Sequence, residues 1–202
     1  MSLDEGAPPT RQRLIEATLQ CVERWGIGKT SLEDVATAAS LSRATVYRHF
    51  PGGRDELVHE AVIWQVGAFF ARIEQAVEAD PGLEAKLVHG LSAGRQALRE
   101  HKLLHQVLAT EPEFILPELM AINPLVLAEV RQVLRGVLDQ EELRPGVDPD
   151  EAADYLAQLY LSYLGSPGGT DLTDTDAVTR LVRLLFVGGI LADQATRGTG
   201  PN

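Results

Sequence analysis

Cysteine, long apolar runs and strand-like alternation are scarce or missing in this 202-residue sequence. The one cysteine, Cys21, lies within a helical apolar pattern and cannot form an intrachain disulfide or a cysteine-based metal site, so we expect it to be a small core residue. The longest strongly apolar stretch, residues 184–192, has nine residues, two of them glycine. It is too short to span a bilayer, and no apolar run follows a basic N-terminal segment. We therefore expect a cytoplasmic chain with no membrane partner.

Negative charge is in excess, but it is unevenly placed. The formal net charge is −11. Residues 1–54 hold seven Lys/Arg against six Asp/Glu, a net of +1, whereas the remaining residues hold eleven against twenty-three, a net of −12. An acidic body repels DNA everywhere except at the N-terminal head, which favours one docking orientation, and it also serves solubility.

The periodic patterns are helical throughout, which predicts an all-α protein. Hydrophobic residues make up 45% of the chain, enough for one or two globular domains. Beyond the N-terminal head, we predict helices at residues 55–78, 83–101, 102–110, 114–120, 124–143, 149–165 and 175–193. Residues 1–9 and 194–202 are predicted to be a disordered arm and tail.

Residues 41–50, L-S-R-A-T-V-Y-R-H-F, have the features of a DNA recognition helix. Ser42 can cap the helix, and Val46 and Phe50, four residues apart, give it one apolar face. That face must be buried. The opposite face then carries mainly hydrogen-bond donors that can reach a phosphate or a base edge.

The preceding residues supply a second helix and a sharp turn. Thr30 or Ser31, followed by Glu33 and Asp34, forms a capping-box start, and a short helix then ends near Ala39. A first helix from Thr10, stopped by Gly26, is expected to pack across the corner. This spacing is that of a helix-turn-helix, although ordinary two-helix corners share it.

A family resemblance favours the DNA-binding interpretation. Residues 30–57, T-S-L-E-D-V-A-T-A-A-S-L-S-R-A-T-V-Y-R-H-F-P-G-G-R-D-E-L, resemble the N-terminal signature of the TetR family of bacterial one-component repressors. The resemblance implies a homodimer, with a helix-turn-helix DNA-binding domain at 10–54 and an effector-binding and dimerisation domain at 55–193. No cofactor is expected. Two departures are that Ser40 replaces the usual turn glycine, and that Gly52-Gly53-Arg54 is one residue longer than the usual Ser-Lys.

The predicted DNA-binding residues lie on or beside the third helix: Thr30, Arg43, Ala44, Thr45, Tyr47, Arg48, His49 and Arg54. Arg43 and Arg48 are candidate guanine contacts, and Ala44 can meet a thymine methyl group. The resemblance and the side-chain chemistry agree on Tyr47, Thr45 and His49 as phosphate or base-edge contacts. The partner is thus a double-stranded DNA operator.

The resemblance also implies that the fourth helix transmits effector binding to the head. We predict a small apolar effector, bound by large or polarisable side chains at helical spacing: Trp64, Phe70, Leu91, Leu104, His105, Leu108 and Phe114. Most of these residues would serve equally well as ordinary core. A regulator that responds to no small molecule therefore remains an alternative.

The last two predicted helices carry more apolar surface than one fold interior can cover, which predicts a homodimer. The candidate interface residues are Tyr155, Leu159, Tyr163, Leu181, Leu185, Gly188 and Gly189. Two adjacent glycines inside a helix cost roughly 1 kcal/mol each, and close helix approach at the dimer interface would explain them.

Two further patterns suggest enzyme or metal chemistry. Gly90-Leu91-Ser92-Ala93-Gly94 matches the hydrolase motif G-x-S-x-G, but that motif requires a preceding strand, and both flanks here are helical. We interpret it as small residues that let helices approach closely. His101 and His105 are four residues apart, with His89 or Glu100 as the only further ligand candidates, so neither a metal site nor a catalytic site is predicted.

Overall fold

The computed structural model describes residues 9–166 and 168–192, and these residues are almost entirely helical. The helices are α1 (Thr10–Trp25), α2 (Leu32–Ala38), α3 (Arg43–His49), α4 (Gly53–Val77), α5 (Gly82–Glu100), α6 (Lys102–Thr110), α7 (Pro112–Leu138), α8 (Pro149–Gly165) and α9 (Thr175–Leu181), followed by a π-helix (Val182–Val187). The predicted all-α class is confirmed. Apart from Pro9, the predicted arm and tail lie outside the described residues.

Capping side chains begin α2, α3 and α8 where the sequence predicted, whereas Thr10, a candidate cap for α1, is the first residue of that helix, which has no side-chain cap. Ser31 accepts from the backbone N–H of Asp34, and the Asp34 carboxylate accepts from Ser31, which completes a capping box. Ser42 accepts from the N–H of Thr45. At α8, the Asp148 side chain accepts from the backbone N–H groups of Asp150 and Glu151, which follow Pro149. Each cap satisfies amide groups that have no partner within the helix.

Helix α1 holds α2 and α3 by their C-terminal ends. A guanidinium nitrogen of Arg13 donates to the carbonyl of Ala39 at 2.8 Å, and Arg11 donates to the carbonyl of His49 at 3.3 Å. Arg11 also lies over the Phe50 ring at 4.6 Å. Cationic side chains at the C-terminal end of a helix favour its dipole and satisfy its last carbonyls. The two arginines therefore fix both helices of the turn to one support.

The long helix α7 differs from the prediction of two helices separated at Asn123 and Pro124. It continues through Pro117 and Pro124. Each interior proline removes one hydrogen bond, at a cost of about 3 kcal/mol or more. Both prolines are exposed, so water can reach the carbonyls they leave free, while burial of Ile122 and Val130 on the opposite side holds the helix together.

The prediction of one C-terminal helix at 175–193 is also wrong in its second half. The α-helix ends at Leu181, and the wider π-helical turns that follow keep Val182, Phe186 and Val187 all buried. After Val187 the chain leaves the helix and pairs with an extended segment, since the N–H of Arg144 donates to the Ile190 carbonyl at 2.8 Å and Leu191 bridges Leu143.

The glycine pair at 188 and 189 consequently has a different explanation from helix packing. It lies in a turn, and a Cβ on Gly188 would sit 2.7 Å from the carbonyl oxygen of Arg183. That distance is shorter than contacts real Cβ atoms make. The constraint on Gly188 thus comes from its own chain, and nothing lies within 4 Å of a Cβ built on Gly189.

Packing divides the chain into two compact units. The first comprises residues up to Ala68 together with 101–122, and the second comprises 69–100 together with the chain from 123. The first unit has two apolar clusters, one inside the helix-turn-helix head around Val46 and Phe50 and one around Val22, Val58 and Val107. The predicted domain boundary after residue 54 remains a prediction.

In the second unit α5 packs against α8 through the G-x-S-x-G residues. The Tyr160 hydroxyl donates to the Gly90 carbonyl at 2.9 Å, and burial raises the pKa of Tyr160. A Cβ on Gly94 would lie 2.7 Å from Leu164. The motif lies inside α5 and not on a strand-to-helix turn, so it lacks the geometry of a nucleophile elbow. Its small residues permit close helix approach, as predicted.

Candidate nucleic-acid interface

Helix α3 presents one buried and one exposed face. Val46 and the C-cap Phe50 are fully buried in the head cluster. Arg43, Ala44, Tyr47 and Arg48 are exposed, whereas Thr45 and His49 are half-buried. The exposed set joins two guanidinium groups, a phenol and a methyl group on one surface of a short helix. These groups suit guanine, phosphate and thymine methyl respectively.

Arg43 and Tyr47, one helical turn apart, support each other. The Arg43 guanidinium lies 5.6 Å from the centre of the Tyr47 ring, and Nη2 donates to the phenolic oxygen at 3.4 Å. That hydrogen bond, together with the charges of Tyr47 and Glu33, raises the pKa of Arg43. Stacking on the Tyr47 ring restricts the rotamers of the Arg43 side chain before it binds DNA, which reduces the entropy lost on binding.

The turn between α2 and α3 is closed by a left-handed residue. Ser40 has φ +53°, its N–H donates to the Thr37 carbonyl at 3.0 Å, and the N–H of Leu41 donates to the Ala36 carbonyl at 2.9 Å. These two bonds form a Schellman motif, in which glycine is usual at the left-handed position. The serine that the sequence marked as a departure thus occupies a strained backbone conformation.

Thr30 is buried and Arg54 is half-buried, although the sequence predicts both as DNA contacts. Thr30 is 2% exposed, and its hydroxyl donates to the Gly26 carbonyl at 2.7 Å. Arg54 turns inward: Nε donates to the Thr30 carbonyl at 2.8 Å, Nη2 to the Ile27 carbonyl, and Nη1 pairs with Asp55. Because their polar groups are occupied by the loop between α1 and α2, we remove both residues from the proposed DNA-contacting surface.

Three residues that support the helix-turn-helix were not predicted from the sequence. Arg11 and Arg13 hold the ends of α3 and α2, and Glu111 accepts hydrogen bonds from the backbone of the α1–α2 loop. The sequence indicates the supporting role of the two arginines only weakly, through their position within one helical turn of the start of α1. It gives no indication for Glu111, since its partners are more than 80 residues away in sequence.

The predicted effector residues divide between the two units. In the first unit, Leu104 and Leu108 pack against the cluster around Val107, while Trp64, His105 and Phe114 are exposed to varying degrees. In the second unit, Leu91 is fully buried and Phe70 packs beside the same core. His101 has a structural role, because its ring nitrogen accepts from the N–H of Leu104 and caps α6.

The predicted dimer residues all lie in the second unit. Tyr155 is 48% exposed, and its hydroxyl donates to the carbonyl of Leu185, itself 40% exposed. The neighbouring Leu184 is 77% exposed. Leu159, Tyr163 and Leu181 are half-buried beside the core, with the Tyr163 ring 5.6 Å from that of Phe186.

A family model for the N-terminal domain of "Bacterial regulatory proteins, tetR family" matches residues 14–61, which include α1, α2, α3 and the start of α4. Residues 14–61 are therefore similar to the DNA-binding domain of the tetR family. The matched segment coincides with the helix-turn-helix geometry described above. A resemblance first carried by residues 30–57 is thereby confirmed and extended to α1.

The curated proteins similar to this chain include transcriptional regulators. A segment of 136 residues is 32% identical to the "Probable acrEF/envCD operon repressor" of Escherichia coli (strain K12), covering 61% of each chain. An uncharacterized HTH-type transcriptional regulator of Mycobacterium bovis is 26% identical over 111 residues, 55% of this chain and 56% of the relative. The chain thus spans about 61% of the length of the E. coli protein.

Solved structures of the family share the fold over nearly the whole chain. The repressor AlkX of Dietzia sp. strain DQ12-45-1b, implicated in biodegradation of n-alkanes, has a TM-score of 0.62 at 22% identity, covering 88% of this chain and 94% of AlkX. The R. erythropolis repressor QsdR has a TM-score of 0.60 at 17% identity, covering 91% of this chain and 96% of QsdR. SmeT, solved as a triclosan complex, has a TM-score of 0.52 at 23% identity, covering 96% of this chain and 97% of SmeT.

Within residues 9–166 and 168–192, no group of three or more His, Cys, Asp or Glu side chains is arranged to hold a metal ion. None of the helices in this part of the chain is both long enough and apolar enough to cross a bilayer.

Proposed function

We propose that this chain is a transcriptional repressor of the tetR family, which binds an operator as a homodimer and is released by a small apolar effector. The observation that carries the proposal is the exposed face of α3, where Arg43, Ala44, Tyr47 and Arg48 stand opposite the buried Val46. The caps at Ser31 and Ser42 fix the helix relative to the rest of the head, so these side chains reach a major groove from a rigid support.

Each side chain on this face has an assigned role. Arg48 reads guanine through its guanidinium, whose planar donors match O6 and N7. Tyr47 donates to a phosphate oxygen, with Arg43 stacked beside it. Ala44 contacts a thymine methyl group. Phosphate contacts position the head on the duplex, and base contacts supply the sequence preference.

Dimerisation is supported by exposed apolar surface on α8 and the π-helix. Tyr155, Leu184 and Leu185 are all exposed, and the hydrogen bond from Tyr155 to Leu185 brings the two elements side by side. Contiguous apolar surface of this kind commonly marks an interface. A two-fold dimer would present two heads to half-sites one helical turn apart, about 34–36 Å.

An apolar effector is supported by the chemistry of the predicted residues in the first unit. Leu104 and Leu108 adjoin an apolar cluster, and Trp64 and Phe114 offer partly exposed rings. SmeT, which has this fold, was solved with triclosan bound. Because α4 contributes Leu57 to the head cluster and Phe70 to the core of the second unit, it is the helix that can carry a ligand-induced change to the head.

The test is selection of genomic DNA fragments by the purified protein. The expected result is enrichment of fragments that share an inverted repeat, with affinity that falls as salt rises because phosphates are neutralised. Retention of all fragments alike, at non-specific affinity, would refute the proposed function.

A further inference from the structure

The loop between α1 and α2, residues 26–31, is held by two side chains of opposite charge. Ile27, at the centre of the loop, is 4% exposed. Its backbone N–H donates to Oε2 of Glu111 at 2.6 Å, and its carbonyl accepts from Nη2 of Arg54. A single buried peptide residue therefore has its donor bound by a carboxylate and its acceptor bound by a guanidinium.

Each side chain makes a second bond to the same loop. Oε1 of Glu111 accepts from the N–H of Gly28 at 3.0 Å, and Nε of Arg54 donates to the Thr30 carbonyl at 2.8 Å. We call these four hydrogen bonds the Glu111–Arg54 clamp. Hydrogen bonds to charged groups are stronger than neutral ones, and two of these four satisfy a residue withdrawn from water.

The glycines of the loop leave the space that the Glu111 carboxylate occupies. A Cβ on Gly26, whose φ is +87°, would lie 2.5 Å from Oε2 of Glu111, and one on Gly28 would lie 2.9 Å from Oε1. Contacts this short do not occur in real structures, so any larger residue displaces the carboxylate. The absence of a side chain at Gly26 and Gly28 therefore lets the Glu111 carboxylate approach the loop backbone.

Glu111 is itself fixed at the corner between α6 and α7. Its N–H donates to the Val107 carbonyl at 2.8 Å, and its carbonyl accepts from the N–H of Phe114 at 3.1 Å. The adjoining residues of this corner, Leu108 and Phe114, are predicted effector contacts. The carboxylate thus joins that corner directly to the loop, without α4 as an intermediate.

The loop determines where the helix-turn-helix begins. Thr30 and the N-cap Ser31 follow Gly28 after a single residue, and α2 leads through the Ser40 turn to α3. We propose that Glu111 is a positioning residue for DNA binding: through the Glu111–Arg54 clamp it holds α2 and α3 in the arrangement that binds the operator. The inference rests on the proposed function, and it adds a regulatory connection between the α6–α7 corner and the head.

The test compares Glu111→Gln with Glu113→Gln. Both substitutions remove one negative charge at the N-terminal end of α7, and Glu113 is exposed. Only Glu111→Gln replaces one clamp acceptor with a donor. We expect the amide of Ile27 or Gly28 to exchange with solvent about tenfold faster or more, as for loss of a hydrogen bond to a charged acceptor. We expect operator affinity about fivefold or more below that of Glu113→Gln.

A second variant tests the clamp without altering Glu111. Gly28 has no left-handed φ, so Gly28→Ala introduces a Cβ without backbone strain; this Cβ would lie 2.9 Å from Oε1 of Glu111 and 3.1 Å from the Phe114 ring, and the tighter contact displaces the carboxylate. We expect it to reproduce the faster exchange at Ile27 and the loss of operator affinity, measured well below the unfolding transition. Faster exchange with operator affinity equal to that of Glu113→Gln, in both variants, would show that the clamp only stabilises the loop and would overturn the proposal.

The results also separate this inference from the proposed function. If the wild-type chain selects no operator, the proposed function fails and the inference fails with it. If the wild-type chain binds an operator and the two glutamine variants bind it equally, only the inference fails. Unchanged amide exchange at Ile27 and Gly28 in Glu111→Gln would overturn the clamp itself.

Discussion

Replacing Ser40 with glycine is expected to stabilise the head. Ser40 adopts φ +53° at the left-handed position of a Schellman motif. For a residue with a Cβ, that conformation costs roughly 1–2 kcal/mol, and glycine avoids the cost. Glycine also gains freedom in the unfolded chain, which removes about 0.5–1 kcal/mol of the benefit. The net gain for Ser40→Gly is therefore about 0.5–1 kcal/mol.

The assay is urea and thermal unfolding followed by far-ultraviolet circular dichroism. For a chain of this size 1 kcal/mol shifts Tm by about 2–4 °C, so the expected increase is about 1–4 °C. Ala38→Gly is the matched control, because Ala38 is an exposed residue in the last turn of α2. Glycine at that helical position should lower the free energy of unfolding by roughly 0.5–1 kcal/mol.

A rise in the free energy of unfolding for Ser40→Gly and a fall for Ala38→Gly would confirm that the turn is strained at Ser40. Destabilisation by Ser40→Gly as large as that by Ala38→Gly would refute the reasoning, because it would show that the left-handed conformation carries no cost at this position. Operator affinity should be unchanged in Ser40→Gly, since the variant leaves both Schellman hydrogen bonds in place.

Three further outcomes are expected. Arg13→Gln should lower the free energy of unfolding by about 1 kcal/mol, measured by urea titration, because the Ala39 carbonyl loses a charged donor; an unchanged midpoint would exclude that support. Leu185→Glu should give monomers in sedimentation and abolish operator binding, since it places charge on the exposed apolar surface; a dimer with normal DNA binding would contradict the proposed interface. Apolar effectors should change the emission of Trp64, with Trp25→Phe as background, and weaken operator binding about 5–150-fold; ligands that alter Trp64 but leave operator affinity unchanged would contradict transmission through α4.

The features that could be predicted from sequence are those determined within a few residues. The caps at Ser31, Ser42 and Asp148 depend on a side chain and amides two or three positions away, and all three form as expected. The buried face of α3 follows in the same way from the spacing of Val46 and Phe50. Local chemistry was therefore sufficient to outline the head and its exposed face.

The features that were missed depend on contacts between distant segments. Continuation of α7 through Pro124 requires burial on its opposite side, which no local pattern reports. After the π-helix, the chain leaves the helical path where Leu191 pairs with Leu143, a residue almost 50 positions earlier. Arg54 has the composition of a phosphate contact, yet it turns toward carbonyls 24 and 27 residues earlier. A charged side chain cannot be assigned to DNA or to the backbone until the chain is folded.

The measurement that tests the central claim most directly is a binding-site selection with the wild-type protein, Arg48→Ala and Tyr47→Phe. The account predicts that the wild type selects an inverted repeat, and that Arg48→Ala loses preference at one position of each half-site, where a base contact is worth about 1–3 kcal/mol. Tyr47→Phe should weaken binding to all sequences alike, because a phosphate contact carries no base preference. Unchanged base preference in Arg48→Ala, or selection of no common sequence by the wild type, would contradict the assignment of α3 as the DNA-reading helix.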